Sequence, residues 1–462
     1  MDPPPPPPAS IPVPDDLLEE IFVRLPTLDA VARASAACTS FRSVIKGRSF
    51  RRRFRAMHRP PLLGFMDAAG FHPAQASHPS APLAGALAPC AADFSFVPAV
   101  VSSASYVRPA VQEDDGEGPR WRPCDVRDGR VLLDWISFYP RSVHMWSYRE
   151  GCARREVSIL MDSREPVNLN ICARPTWTKR ERCNAADFHL AVCDPLSIRY
   201  VLLPTIPEDL ASQPQDLLQE FQPVLAPCTG DDSEEVPFKV ICIARYQTKL
   251  VLFVFPSTAR QWSMVESPIF PSLEHMSCLY DMSSFDYVRG SFYWTDRHDW
   301  SDHLMVLDTR TLRFSTVDLL TGYHMELRSL PGQSFDDRRP NAVVLGREGA
   351  LEMFSLVCQH GAFALYHTSL QNNSQEWKLE KIIQLPGQYR DYSISTIGAA
   401  EGFLFFRGAL GGLGSIENVD CYSMEVKTYG ITKVCTKTEK FLNRRSALPY
   451  FSFPPLLSEP TI

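Results

Sequence analysis

A helical pattern near the start of the chain, over residues 13–45, constrains the fold more than any other feature. Apolar residues recur there at helical spacing, which predicts a first helix with one apolar face: Leu17, Leu18, Ile21, Phe22 and Leu25. Pro26 ends this helix, and Thr27 can cap a second one that carries Val31. A third short helix would carry Phe41.

Three helices of this length cannot bury much apolar surface by themselves. A block below about 40 residues usually needs a metal, disulfides or a partner in order to fold. The apolar face of the first helix therefore requires another protein surface. The pattern predicts a partner-binding helical module and leaves the partner unidentified.

The run from Val13 to Pro26 resembles the opening of an F-box, whose usual form is Leu-Pro, two variable polar residues, Leu, and then Ile and Leu at helical spacing. Four later residues resemble its second half: Ala34, Cys38, Phe41 and Arg42. Val13 replaces the usual Leu and Phe41 replaces the usual Trp, so both positions stay apolar. F-box proteins bind the adaptor subunit of SCF-type, cullin-based ubiquitin ligases, and the resemblance implies the same partners here.

The resemblance also implies which residues dock on the adaptor. They are the apolar and proline positions of the block: Pro14, Leu17, Leu18, Ile21, Phe22, Leu25, Pro26, Val31 and Phe41. We expect Val31 and Phe41 to be partly core and partly contact. The basic cluster that follows, around Arg51–Arg53, could be a nuclear import signal, but the interleaved Phe50 and Phe54 favour an amphipathic helix with a solvated basic face.

The composition excludes several classes of function. A net charge of -6 and a pI near 6.0 give no indication of binding to nucleic acid or an anionic membrane. The apolar runs are too short to span a bilayer, and the acidic, proline-rich start is not a signal peptide. The thirteen cysteines contain no C-x-x-C pair, which favours free thiols over a disulfide framework. We therefore expect a cytoplasmic or nuclear protein.

The rest of the chain repeats a two-strand pattern. HLAVCDPLSIRYVLLP (189–204) and HLMVLDTRTLRFSTVDL (303–319) each consist of an apolar strand, an acidic turn and a second strand. Weaker copies place further turns near 257, 372 and 424. Four short strands in each unit of about 40 to 50 residues are typical of a β-propeller, here of about six to eight blades. An open β-sandwich is the structural alternative.

These patterns predict a multidomain chain in which a small three-helix F-box precedes a large antiparallel β-propeller. The expected segments are a disordered proline-rich leader (1–11), the helical domain (12–60), a linker or Ala/Pro-rich loop (61–93), the propeller (94–450) and a C-terminal tail (451–462).

Two further elements resemble the F-box-associated domains of large plant families. Gly290–Trp294, followed by Leu304–Asp308, is similar to a "G-x-x-Y-W … L-x-x-[FL]-D" pair found in Kelch-like repeats. Residues 128–133, DGRVLL, are similar to the opening strand of the same domain in grass members.

Catalytic and metal-binding patterns give no positive indication. The sequence contains no G-x-S-x-G, P-loop or H-E-x-x-H motif, so we expect a non-catalytic subunit without a cofactor. One polar stretch has residues that a metal could use: Asp296, His298, Asp299, Asp302 and His303. A solvated loop between two strands needs the same residue types, and we favour that interpretation over a metal site.

The sequence therefore predicts the substrate-recognition subunit of an SCF-type ligase, whose propeller captures a protein target. Substrate contacts could come from aromatic residues, namely Trp262, Tyr293, Trp294 and Trp300, with Trp177 and Trp377 as further candidates. Packing within the blades is the alternative for most of them. The alternative function is an interaction scaffold that does not join a ligase. An enzyme or a sugar-binding propeller is a further one.

Overall fold

The computed structural model describes residues 13–100, 120–136, 142–147, 155–160, 171–175, 184–211, 218–227, 237–246, 249–267, 286–294, 303–328, 342–345, 350–359, 362–371, 375–387, 392–410, 416–440, 447–454 and 457, except for 68, 86 and 88. The predicted leader, Trp177, Trp300 and the polar stretch 296–302 lie outside these residues. None of the helices that the structure describes is long and apolar enough to cross a membrane.

The helices concentrate at the start of the chain, where four of them form the helical module. In chain order the helices are α1 (Asp15–Val23), α2 (Leu28–Ala37), α3 (Thr39–Lys46), α4 (Arg48–Met57), α5 (Ala81–Ala84), α6 (Pro89–Ala92), α7 (Glu208–Ala211) and α8 (Tyr323–Arg328). Thr27 Oγ1 accepts a hydrogen bond from Ala30 N at 3.2 Å, which caps α2 as predicted. The predicted block of three helices thus gains a fourth, α4.

Antiparallel strands make up most of the remaining chain. They are β1 (Leu62–Asp67), β2 (Gly70–Pro73), β3 (Arg120–Arg127), β4 (Arg130–Ile136), β5 (Ser142–Ser147), β6 (Arg155–Leu160), β7 (Ile171–Pro175), β8 (Leu190–Asp194), β9 (Arg199–Leu202), β10 (Leu218–Pro227), β11 (Phe238–Tyr246), β12 (Leu250–Pro256), β13 (Ser263–Ser267), β14 (Asp286–Val288), β15 (Ser291–Trp294), β16 (His303–Asp308), β17 (Arg313–Asp318), β18 (Ala342–Leu345), β19 (Leu351–Gln359), β20 (Ala362–Leu370), β21 (Trp377–Gln384), β22 (Tyr392–Ala400), β23 (Phe403–Leu410), β24 (Ile416–Glu425), β25 (Ile431–Lys440) and β26 (Leu448–Phe451).

The strands form a six-bladed β-propeller. Blade 1 has the order β26-β1-β2, blade 2 has β3-β4-β8-β9, and the other four are β10–β13, β14–β17, β18–β21 and β22–β25. The first strands of neighbouring blades contact one another, as β3 does with β10 and β18 with β22, so they line the centre of the ring. The predicted propeller is therefore confirmed, at six blades, and the open sandwich is excluded.

Blade 1 joins the two distant ends of the propeller sequence. Strand β26 pairs with β1, with Phe65 opposite Pro449. The Lys437 ammonium of β25 bonds to Asp67 at 2.8 Å, which ties blade 6 to blade 1. Blade 1 therefore closes the ring with strands from both ends of the propeller sequence.

The prediction that residues 61–93 form a linker or loop is wrong. Its first part forms β1 and β2, and its second part contains α5 and α6, which pack on blade 1. Blade 1 has three strands, and the α6 segment lies against β2, where Ala92 O would be 2.8 Å from a Cβ on Gly70. The Ala- and Pro-rich composition of this segment therefore reflects close packing against a sheet.

The five predicted turns all join the third and fourth strands of a blade. Asp308 Oδ1 accepts hydrogen bonds from Arg310 N and Thr311 N, both at 2.8 Å, and Asp194 caps its turn in the same way. Each of the five turns ends on a residue with positive φ, although none of these residues is glycine: Ile198, Arg260, Leu312, Gln375 and Tyr429. In the turns at Asp194 and Asp308 the Asx hydrogen bonds stabilise a backbone shape that the side chains alone would disfavour.

A polar contact ties three blades together near the centre of the ring. The buried Asp286 carboxylate, on β14, accepts hydrogen bonds from Val343 N of β18 and Ala399 N of β22. Burial raises the pKa of Asp286 to about 7, although both N–H donors and the nearby Arg127 favour its ionised form.

Blade 2 carries an addition that the repeats do not predict. A separate three-stranded sheet, in the order β6-β5-β7, lies in sequence between β4 and β8.

The cysteines whose side chains are described are free, as predicted. Cys421 and Cys435 face each other across β24 and β25, and a hydrogen bond from the Cys421 thiol lowers the pKa of Cys435.

Candidate partner-docking surface

Helix α1 exposes an apolar stripe to solvent. Leu17 and Ile21 are 56% and 55% exposed, and their spacing of four residues places them on one side of the helix, while Val13, 50% exposed, lies just before it. Pro14 and Pro26 are exposed at the two ends of the same region. Large apolar side chains that remain this open on a short helix are available to a partner.

The other predicted docking residues form the core of the module. Leu18, Phe22 and Val31 are buried, and Leu25 and Phe41 pack against them while half-buried. The Phe22 and Phe41 rings meet edge to face with centroids 5.0 Å apart.

The predicted set therefore divides into contact and core residues. Adjacent positions such as Leu17 and Leu18 point about 100° apart on a helix, because one turn takes 3.6 residues. One member of each apolar pair must then face the core while the other faces outward.

Ion pairs between α1 and α4 hold the stripe outward. Arg53 of α4 bonds to Glu19 Oε1 at 3.0 Å and also to Glu20, and Ser49 Oγ donates to Glu19 at 2.9 Å. The Arg53 hydrogen bond, with help from the charge of Arg24, lowers the pKa of Glu20. These contacts are on the solvent side and contribute orientation more than stability.

The basic helix α4 is amphipathic, as the sequence indicates. Phe50 and Phe54 are buried in the module, while Arg48 and Arg52 are exposed. The His58 ring stacks on Phe54 with centroids 4.1 Å apart, and His58 Nε2 lies 2.7 Å from Val23 O. Helix α4 therefore packs against α1 and supports it.

Strand connections show which face of the ring carries the module. Strand β1 is the second strand of its blade, so it begins at the face where first strands turn into second strands. The same face carries the type I′ hairpins at 128–129, 289–290 and 401–402, in which both residues have positive φ. We call this the module face. The second strand of each blade, such as β4, ends at the opposite face, which we call the open face.

Two of the tryptophans predicted to contact substrate are instead ties between blades. Trp262 Nε1 donates to Pro204 O at 2.7 Å, and Trp377 Nε1 donates to Asp318 O at 3.0 Å. Each bond runs from the outer strand region of one blade to the end of the outer strand of the preceding blade. Both side chains are buried, so the described geometry does not offer them to a partner.

Tyr293 and Trp294 also pack within the propeller. Trp294 is buried against Phe314, with ring centroids 6.0 Å apart, and Tyr293 is half-buried, where burial raises its pKa. Side chains of a blade strand alternate between two packed faces, and this alternation takes up the aromatic residues of the repeats. Of the four named substrate candidates, the three that the structure describes are therefore not exposed anchors.

The sequence analysis missed one exposed apolar surface. Strand β9, the outer strand of blade 2, exposes four consecutive residues together with its preceding turn: Ile198, Arg199, Tyr200, Val201 and Leu202. Outer strands of other blades expose mainly polar groups, such as Ser315 and Thr316 of β17. A run of apolar residues at an outer-strand position was the available signal.

Comparisons with known proteins agree with the helical part. Residues 13–53 match the F-box domain. No curated protein matches the chain. Among solved structures, the chain is similar to a post-proline cleaving enzyme from Rickettsia typhi (10% identity, 91% of this chain and 57% of that one, TM-score 0.30). It is also similar to a GH43_1 enzyme from Xanthomonas citri (9%, 75% and 92%, 0.24) and the WD40 domain of SCAP from fission yeast (9%, 71% and 89%, 0.25). At this distance the likenesses carry no inference about activity.

Proposed function

We propose that the protein is the substrate-recognition subunit of an SCF-type ubiquitin ligase. The helical F-box region docks on the adaptor and, through it, on cullin, while the propeller captures a protein target. The observation that carries the proposal is the exposed apolar stripe formed by Leu17 and Ile21 of the first F-box helix, with Val13 just before it. The proposal places the protein in the cytoplasm or nucleus and requires no cofactor, metal, nucleic acid or membrane.

The energy that the stripe can gain by burial sets how much it contributes to adaptor binding. Complete burial of a large apolar side chain contributes roughly 1.5 to 3 kcal/mol, and the stripe residues have about half of that still to gain. Association costs about 4 to 15 kcal/mol in lost freedom. The stripe therefore needs a wider interface, for which Pro14 and Pro26 are the nearest exposed positions.

The receptor role assigns the chemistry to other subunits. A receptor holds its target beside a charged ubiquitin-conjugating enzyme, which turns a dilute encounter into a reaction at high effective concentration. The open face is the part of the ring that the module leaves accessible, and we propose it as the substrate side.

The finer relationship to plant Kelch-like F-box proteins is also a proposal. Its support is that the two halves of the Gly290–Trp294 and Leu304–Asp308 pair lie in β15 and β16, adjacent strands of one blade.

The test compares two pairs of exposed apolar residues. Leu17→Ala with Ile21→Ala removes the stripe, and Leu202→Ala with Ile382→Ala removes side chains of similar type and exposure from the ring. Calorimetric titration of the full chain with the adaptor should show affinity lost in the first variant and retained in the second. Equal affinity in both variants would show that α1 is not the docking surface.

The non-ligase scaffold predicts a different result. In that case the wild-type chain does not bind the adaptor, while the propeller still retains its other partners. The exposure of Leu17 and Ile21 favours the ligase hypothesis, because neither side chain belongs to the described core of the module.

A further inference from the structure

The core of the helical module contains residues that come from the other end of the propeller sequence. Phe453 and Leu457 are 7% and 0% exposed, within a cluster formed by side chains of the four module helices. The Phe453 ring lies edge-on to Phe54 with centroids 6.1 Å apart. Leu457 N donates to Pro454 O at 2.8 Å, which makes a turn that brings Leu457 back to the cluster. We call residues 452–454 and 457 the return segment.

The return segment reaches the module only through the closed ring. It follows β26 directly, and β26 is the strand that pairs with β1 to complete blade 1. Ser452 N donates to Pro61 O at 3.3 Å, just after the chain leaves α4. Because β1 and β26 lie at opposite ends of the propeller sequence, their pairing in the closed ring brings the return segment to the module.

A second contact fixes the same end of the module. Arg59 Nη1 donates to Glu401 O at 3.0 Å in the hairpin between β22 and β23. The guanidinium lies so close to Gly402 that a Cβ there would be 2.2 Å from Nη1. The positive φ of Gly402, +78°, favours glycine, and a Cβ there would displace the flexible end of Arg59. Blade 6 therefore holds the chain immediately after α4.

We propose that the return segment positions the docking surface and makes it conditional on ring closure. This inference rests on the proposed adaptor-binding function. Leu18 and Phe22 lie in the cluster that contains Phe453, and they occupy the inner side of the helix whose outer side carries Leu17 and Ile21. A module of this size has little stability of its own, so loss of two core side chains loosens α1. A chain with an open ring then presents no ordered stripe.

Amide hydrogen exchange of the full chain tests the proposal directly. Phe453→Ala should reduce protection in α1–α4 roughly a hundredfold while leaving the blade 3 strands unchanged. Phe453→Leu should restore most of that protection, because it keeps an apolar group in the same place. A chain ending at Ser452, which retains β26, should lose module protection and keep that of β1.

The matched control is Phe253→Ala, which removes an equally buried phenylalanine from blade 3. It should reduce protection in the ring strands around it more than in α1–α4. Unchanged protection of α1–α4 in both Phe453→Ala and the chain ending at Ser452 would overturn the proposal.

Adaptor titration of the same variants separates this inference from the proposed function. Phe453→Ala should bind the adaptor at least tenfold more weakly than wild type, with recovery in Phe453→Leu. Lost protection with unchanged affinity would overturn the positioning role. If wild type does not bind the adaptor, the proposed function fails, and the docking part of this inference fails with it. The exchange data then decide whether the return segment completes the module.

Discussion

The helical module and the propeller differ in how they obtain a core. Blades 3 to 6 pair strands that are consecutive in sequence, blade 2 pairs β4 with β8 across its added sheet, and blade 1 joins the distant strands β1 and β26. The module, in contrast, includes Phe453 and Leu457 from beyond the last strand. Most blade cores are therefore local in sequence, whereas the module core includes residues from the far end of the chain. The helical module, which has the clearest sequence motif, therefore relies more on distant residues than most blades do.

The largest expected effect separates the two cores. Phe54→Ala removes a buried ring that contacts Phe50, His58 and Phe453, and should destabilise the module by about 3–5 kcal/mol. Hydrogen exchange should show the loss in α1–α4 while strands β11 and β12 retain their protection. Equal loss in both regions would mean that module and ring unfold as one unit, contrary to this comparison.

The next effect is a pH dependence that belongs to the ring. Since burial raises the pKa of Asp286 to about 7 from an ordinary value of 3.8, its contribution to stability is complete below about pH 4 and is lost as pH rises through 7. At 1.36 kcal/mol per pKa unit, the loss is at most about 4 kcal/mol.

Comparison with Asp286→Asn isolates this effect. His324 acts in the opposite direction, because burial lowers its pKa to about 4 and so makes the fold more stable as pH rises toward 6.5. The difference in unfolding free energy between wild type and Asp286→Asn should therefore change between pH 4 and 7. A constant difference would show that Asp286 does not change its protonation in this range.

Breaking the ion pair at the junction of blades 1 and 6 should have a somewhat smaller effect. Lys437→Met leaves the half-buried Asp67 carboxylate with only His72 and the Ala69 N–H, and should cost about 3 kcal/mol of unfolding free energy at pH 7. Burial opposes ionisation of Asp67, but His72 and Lys437 outweigh it and hold the pKa of Asp67 well below its usual range.

The Asp67 contribution is present above about pH 4 and is lost as pH falls, the reverse of Asp286. Denaturant unfolding of wild type and Lys437→Met at pH 7 and pH 3 should therefore show a smaller difference at pH 3. A larger difference at pH 3 would contradict the assignment.

The smallest effect concerns a local feature of the module. Thr27→Ala removes the cap of α2 and should cost about 1 kcal/mol, while Thr27→Ser should cost less. Hydrogen exchange at the start of α2 measures both. No loss in Thr27→Ala would show that the core, rather than the cap, fixes this helix end.

Features with a local cause were predictable from the sequence. The helix α1 stripe, the Thr27 cap and the acidic turn at Asp308 each depend on neighbours within a few residues, and the structure confirms them. Repetition of such turns predicted a ring of about six to eight blades, and the structure has six.

Features with a distant cause were not predictable in the same way. Composition suggested a loose linker where β1 and β2 lie, because their partner β26 is almost 400 residues away. The division of Leu17 from Leu18, and the use of Trp262 and Trp377 as ties between blades, depend on tertiary packing. Residue type alone indicated that these side chains are apolar or aromatic, but not whether each one faces the core or the solvent.

Copurification of the full chain with the SCF adaptor and cullin tests the central claim most directly. The account predicts that wild type and the Leu202→Ala, Ile382→Ala control retain both proteins, whereas Leu17→Ala with Ile21→Ala retains neither. All three chains should show the same thermal unfolding of the propeller. Failure of the wild-type chain to retain the adaptor, or its retention by the α1 variant, would contradict the account.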